Sequence, residues 1–159
     1  MAQKLADVIK LIVYDFDGVM TNNRVYIDEN GKESVAVSRA DGLGISEIKK
    51  MGIKQMIIST EMNKVVKKRA EKLNILCING VDNKANELKN FVNRIGVDLS
   101  NVIFVGNDIN DADVMSLVGW PMCPSDSYNS IKKISKHVFK SKGGEGVIRE
   151  LFDLMSRGD

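Results

Sequence analysis

Excess charge of either sign, histidine, cysteine and long apolar runs are all scarce in this chain, and each scarcity excludes something. Lysine and arginine number 23 against 21 aspartates and glutamates, a formal net charge of +2 over 159 residues. A dedicated nucleic-acid binder would carry a concentrated basic excess. The short clusters at Lys49-Lys50, Lys67-Lys68-Arg69 and Lys132-Lys133 read instead as solvated helix faces. The two cysteines, Cys77 and Cys123, lack CxxC spacing, so reduced thiols in a cytoplasmic protein are expected. Apolar runs such as Leu11 to Tyr14 are far too short to span a bilayer, and the first seven residues carry no apolar stretch of a signal peptide. No GxxxxGKS/T occurs, which excludes a P-loop nucleotidase, and no GxGxxG follows a strand. The one histidine, His137, reads as structural or surface.

What remains is enough for one domain over 1–159, since 43% of the residues are hydrophobic. Ile9 to Tyr14 is an almost unbroken apolar run, the mark of a strand buried on both faces. Val25 to Ile27 and Ser34 to Val37 flank the turn-rich Asp28-Glu29-Asn30-Gly31, which predicts a β-hairpin. Helices are predicted over Gly42–Met51, Glu61–Leu73, Asn83–Ile95, Asp111–Val118, Ser127–Ile134 and Glu145–Met155. Between them fall strands at Ile53–Ile58, Ile75–Ile78, Val102–Val105, Trp120–Cys123 and His137–Phe139. This alternation predicts an α/β fold: a three-layer, Rossmann-like parallel sheet with helices on both faces and a small hairpin insertion.

Ligands of such folds bind beyond the carboxyl ends of the strands. The residues there are Asp15-Phe16-Asp17-Gly18, then Ser59-Thr60-Glu61, then Lys84 opening a helix, then Gly106-Asn107-Asp108 with Asp111. Alone, each has a plain reading as turn, cap or exposed residue. Lys84 is unusual, because a cation in a helix's first turn opposes the macrodipole unless an anion is near. Together they fit phosphate-ester hydrolysis. A phosphomonoester dianion facing two carboxylates needs Mg²⁺ between them. Asp15 can attack phosphorus, Asp17 can protonate the leaving oxygen and then activate water, and Ser59 or Thr60 with Lys84 can neutralise the phosphoryl oxygens. A phospho-accepting receiver domain uses similar groups but in a different chain order.

The set Asp15-x-Asp17-Gly18, Ser59, Lys84 and Gly106-Asn107-Asp108-x-x-Asp111 resembles the four motifs of the haloacid dehalogenase superfamily of phosphatases. More narrowly the chain is similar to the capless 3-deoxy-octulosonate 8-phosphate phosphatases, and equally to the phosphatase-like domain of acylneuraminate cytidylyltransferases. The resemblance runs through Gly143-Gly144-Glu145-Gly146-Val147-Ile148-Arg149-Glu150. It implies that Asp15 is the nucleophile and Asp17 the acid/base, with Gly18, Ser59, Thr60, Glu61 and Lys84 on the phosphate and substrate. Mg²⁺ would be held by Asp15, Asp17 through its carbonyl, and Asn107 or Asp108. Asn107 departs from the family's usual Asp and brings no charge. Glu61 leans toward a nine-carbon rather than an eight-carbon 2-keto-3-deoxy sugar acid phosphate. A weakly active or non-catalytic oligomerisation domain, associated with a cytidylyltransferase, is the alternative. The intervals from Asp17 to Ser59 and from Ser59 to Lys84 leave no room for a cap domain. The resemblance therefore implies a homotetramer in which the hairpins pack together and the Gly143–Gly146 segment reaches a neighbouring site.

Overall fold

The computed structural model describes residues 3–157. A short helix α1 (Leu5–Val8) leads into β1 (Leu11–Tyr14), followed by a hairpin of β2 (Tyr26–Ile27) and β3 (Glu33–Ser34). Then come α2 (Arg39–Lys50), β4 (Lys54–Ile58), α3 (Lys64–Leu73), β5 (Leu76–Ile78) and α4 (Lys84–Ile95). The chain closes with β6 (Val102–Val105), α5 (Ala112–Leu117), β7 (Trp120–Cys123), α6 (Asn129–Ile134), β8 (His137–Val138) and α7 (Val147–Ser156). Six strands form one parallel sheet in the order β5-β4-β1-β6-β7-β8, and β2 and β3 pair separately and antiparallel.

Strand alternation divides the core. Ile12 and Tyr14 of β1 face the cluster built with Ile45 and Ile48 of α2, Val66 of α3, and Ile148 and Leu151 of α7. Leu11 and Val13 face the other cluster, with Leu88 and Phe91 of α4, Val114 of α5 and Ile131 of α6. All four β1 residues are buried, as the unbroken apolar run requires. This is the expected three-layer α/β arrangement. The chain runs from β1 outward to β5, then crosses back to β6 on the other side of β1. The crevice at that reversal, beyond the carboxyl ends of β1 and β6, is where such sheets bind ligands.

Several boundaries move for local reasons. Helix α2 begins at Arg39 rather than Gly42, because Ser38 Oγ accepts the Ala40 N–H at 3.2 Å. Gly42 and Gly44 are thus inside the helix. A Cβ on Gly44 would lie 2.6 Å from Ile148 O, so the glycine permits close packing of α2 on α7. Helix α3 starts at Lys64 because Asn63 caps it, not at Glu61. The second hairpin strand is Glu33–Ser34 rather than Ser34–Val37; Val35 and Val37 turn in against the main core instead. Cys77 is half-buried and Cys123 buried, both free thiols. His137 packs edge-on against Phe139.

Candidate active site

Lys84 organises the site. Asn83 Oδ1 caps α4 on the Asn86 N–H, so Lys84 is the helix's first residue and its side chain runs beneath the ends of β1 and β6. Its Nζ lies 2.8 Å from Asp15 Oδ1 and 2.7 Å from Asp111 Oδ1, all three groups buried. Burial alone would lower the Lys84 ammonium, but Asp15 and Asp111 outweigh it and hold its pKa above the ordinary value. Asp15 rises to about 7 through burial first and the Asp111 charge second, with Lys84 and the Phe16 N–H pulling it back. Asp111 completes the frame: its Oδ2 accepts the Asn107 N–H at 2.9 Å. Its spacing after Gly106 is the only signal, since its task depends on a lysine from another element.

Asp17 is half-buried just outside this triad. Its carboxyl pKa is raised by burial, then by Glu61, against a lowering by Lys84 and with a further push from Glu33 of the hairpin. A raised carboxyl pKa keeps the proton to higher pH, the direction a proton donor needs. Gly18 follows with φ +84°, and a Cβ there would collide with the Asn107 amide. Only glycine lets the chain turn this close to Asn107.

The Asn107 amide carries the metal question. One of its terminal atoms sits 2.9 Å from Asp17 O and 3.0 Å from Asp15 Oδ2. With nitrogen there, the amide donates to both. With oxygen there, three acceptors face one another with no proton between them. Separations near 3 Å match the edge of an octahedron whose Mg–O bonds are about 2.1 Å. A carboxylate, an amide oxygen and a main-chain carbonyl are hard oxygen donors, so the residues fit Mg²⁺. Among the described residues no three His, Cys, Asp or Glu side chains form a metal cluster, because only one of these donors is a carboxylate. Asp108 has a local partner. Its Oδ1 accepts the Ile109 N–H at 2.6 Å, capping the short 3₁₀ turn that follows. The Asn107 amide is within 3.0 Å of both Asp15 and Asp17.

Ser59 is buried, and its Oγ accepts the Glu61 N–H at 3.1 Å. Glu61 is half-buried and braces the next turn through the Asn63 N–H at 2.9 Å; Thr60 is exposed. A polar recess of about 210 Å³ opens beside Gly18 and Asn107, lined also by Asn22, Arg24, Asp126 and Tyr128. Gly143 and Gly144 pack under this chain's own Gly18–Asn22 turn, which the lack of a Cβ allows.

A family model described as haloacid dehalogenase-like hydrolase matches residues 47–151. The chain belongs to that family. Its curated relatives include the 3-deoxy-D-manno-octulosonate 8-phosphate phosphatases of Escherichia coli and Shigella flexneri. Each is 30% identical over 151 residues, covering 94% of this chain and 80% of the relative. A crystal structure from Streptomyces avermitilis, described as a HAD family hydrolase, superposes with a TM-score of 0.94 at 40% identity, over 97% of this chain and 88% of that one. The Moraxella catarrhalis octulosonate 8-phosphate phosphatase, solved with magnesium, phosphate and KDO, gives 0.90 at 28% identity over 95% and 87%. A cobalt-bound phosphatase from Haemophilus influenzae gives 0.89 at 27% identity over 96% and 90%. This haloacid dehalogenase-like hydrolase is a phosphatase that uses a divalent metal. Among its described residues no helix is long and apolar enough to cross a membrane.

Proposed function

We propose that the chain hydrolyses a 2-keto-3-deoxy sugar acid phosphate of eight or nine carbons through an aspartyl-phosphate on Asp15. The observation that carries this reading is the meeting of Asp15, Lys84, Asp111 and the Asn107 amide at the switch point of the sheet. The curated relatives' substrate, 3-deoxy-D-manno-octulosonate 8-phosphate, sets the eight-carbon member of that class. Glu61, close enough to raise the Asp17 pKa, is the residue that leans toward nine.

In this account a carboxylate oxygen of Asp15 attacks phosphorus in line as the ester P–O bond breaks. Asp17, protonated, gives its proton to the departing alkoxide. It then takes a proton from water, whose oxygen attacks the acyl phosphate, releasing inorganic phosphate and restoring Asp15. Lys84 and Ser59 balance charge on the phosphoryl oxygens. Mg²⁺, held by Asp15, Asp17 O and Asn107, supplies the charge that lets a dianionic ester approach these carboxylates.

Val25, Tyr26 and Ile27 of the hairpin are 46%, 69% and 64% exposed. A two-stranded hairpin with apolar residues outward is stable only when packed on something. A homotetramer with hairpins packed together supplies that cover. Asn107 favours the second reading, a weakly active oligomerisation domain tied to a cytidylyltransferase, because an amide brings no charge to the metal. The deciding experiment is a panel of eight- and nine-carbon sugar acid phosphates assayed with Mg²⁺, alongside light scattering. Selective turnover of one panel member supports the enzyme; a tetramer inert on all of them supports the alternative.

A further inference from the structure

Two glycines from late in the chain lie directly beneath the turn that follows Asp17. Gly143 and Gly144 sit between β8 and α7, and Gly144 N donates to Val19 O at 3.0 Å. A Cβ on Gly143 would collide with Gly18 O and stand 2.8 Å from Thr21 O. One on Gly144, where φ is +77°, would stand 2.7 Å from Asn22 N. The contact is backbone on backbone, with no space for a methyl group.

Carboxylates from separate elements hold this segment in place. Asp126 Oδ1 accepts the Gly143 N–H at 3.0 Å, although Asp126 is exposed. Glu150 of α7 accepts the Lys140 and Ser141 N–H groups at 2.9 and 2.8 Å. Asp41 of α2 accepts the Ile148 N–H at 2.9 Å and so fixes the start of α7 behind the glycines. None of these three carboxylates is in the Asp15–Lys84–Asp111 triad.

The consequence falls on Asp17. Its carbonyl belongs to the peptide that carries Gly18 N, and Gly18 N donates to Thr21 Oγ1 at 3.2 Å. Whatever fixes the Gly18–Thr21 turn therefore fixes the direction of Asp17 O and the root of the Asp17 side chain. We propose that Gly143–Gly144 is an intrachain brace for Asp17, and that Gly143 and Asp126 are positioning residues. They hold Asp17 O at the metal position and the Asp17 carboxyl toward the leaving group without touching either. This rests on the assignment of Asp17 as acid/base.

The test uses the full chain as Gly143→Ala, Asp126→Ala and Asp126→Asn. Mg²⁺ affinity is measured by calorimetry, and kcat is measured on p-nitrophenyl phosphate and on an alkyl phosphate such as glycerol phosphate. A displaced general acid hurts poor leaving groups most. Gly143→Ala and Asp126→Ala are expected to weaken Mg²⁺ binding several-fold and to lower alkyl turnover at least about tenfold more than aryl turnover. Asp126→Asn keeps an oxygen acceptor for the Gly143 N–H and is expected to stay near wild type. If Gly143→Ala does not fold, the Asp126 pair at its exposed site decides. Unchanged Mg²⁺ affinity and an unchanged aryl-to-alkyl ratio in the folded variants overturn the brace. So does an Asp126→Asn variant as impaired as Asp126→Ala. A wild-type protein that binds Mg²⁺ but turns over neither ester defeats the role of Asp17 instead, and the Mg²⁺ titration still decides the brace.

Discussion

Asp15 Oδ2 and the Asn107 amide face each other across 3.0 Å. In the metal-free protein the amide nitrogen can turn inward and donate to Asp15, so Mg²⁺ has to displace two hydrogen bonds. Asn107→Asp removes that competitor and adds a charge. Mg²⁺ is expected to bind at least about tenfold more tightly to the variant, consistent with the worth of an added ligand charge at such sites. Calorimetric titration of the two proteins checks this, and equal affinities would place the ligand elsewhere.

Lys84 neutralises two buried carboxylates at once. Lys84→Met leaves them facing each other without a cation, a kind of change that costs about 3–5 kcal/mol. Lys84 also lowers the Asp15 pKa, so its loss raises that pKa beyond about 7. The destabilisation is therefore expected to be largest at pH 8 and to shrink toward pH 6, where Asp15 takes up a proton. Urea unfolding at both pH values measures it; a loss independent of pH contradicts the pairing.

Asp17→Asn removes the proton donor while keeping the carbonyl. Turnover is expected to fall by about 10²- to 10⁴-fold on alkyl phosphates and less on aryl phosphates, whose leaving groups need no proton. Equal losses on both would count against the acid role.

Asp41 offers a stability test away from the chemistry. Burial raises its pKa to about 6, against the opposing hydrogen bonds of Ile148 and Arg149 and the Arg69 charge. An unfolded aspartate titrates near about 3.9. Below that pH both states hold the proton. Between about 4 and 6 only the folded chain keeps it, so the stability contributed by the protonated form is lost as pH rises, by up to about 3 kcal/mol. Relative to wild type, Asp41→Asn is expected to be more stable at pH 7.5 than at pH 4. The same difference at both pH values would refute the buried, proton-holding carboxyl.

The sheet was legible because its strands are short apolar runs at regular spacing, and the chemistry sits where each run ends. Asp15, Ser59, Lys84 and Asn107 could be picked out for that reason. Helix starts were harder: Ser38 and Asn63 had to be recognised as caps, and Gly42 and Gly44 look like breakers until α7 is seen packed against them. A main-chain oxygen such as Asp17 O has no residue type to announce it. The same holds for Gly143, whose task is to be small against a turn far away in sequence. Asp108 and Asn107 were inseparable as ligands by spacing, and the contact of the Asn107 amide with Asp15 Oδ2 at 3.0 Å depends on the folded turn.

Covalent phosphorylation of Asp15 is open to direct test. The direct measurement is an acid quench of enzyme turning over a sugar acid phosphate, then borohydride reduction and mass spectrometry of the peptide containing residue 15. Homoserine is expected in place of Asp15, formed by reduction of the acyl phosphate and absent without substrate. An enzyme with full Mg²⁺-dependent turnover whose Asp15 is never reduced, and whose Asp15→Asn variant stays active, would contradict it.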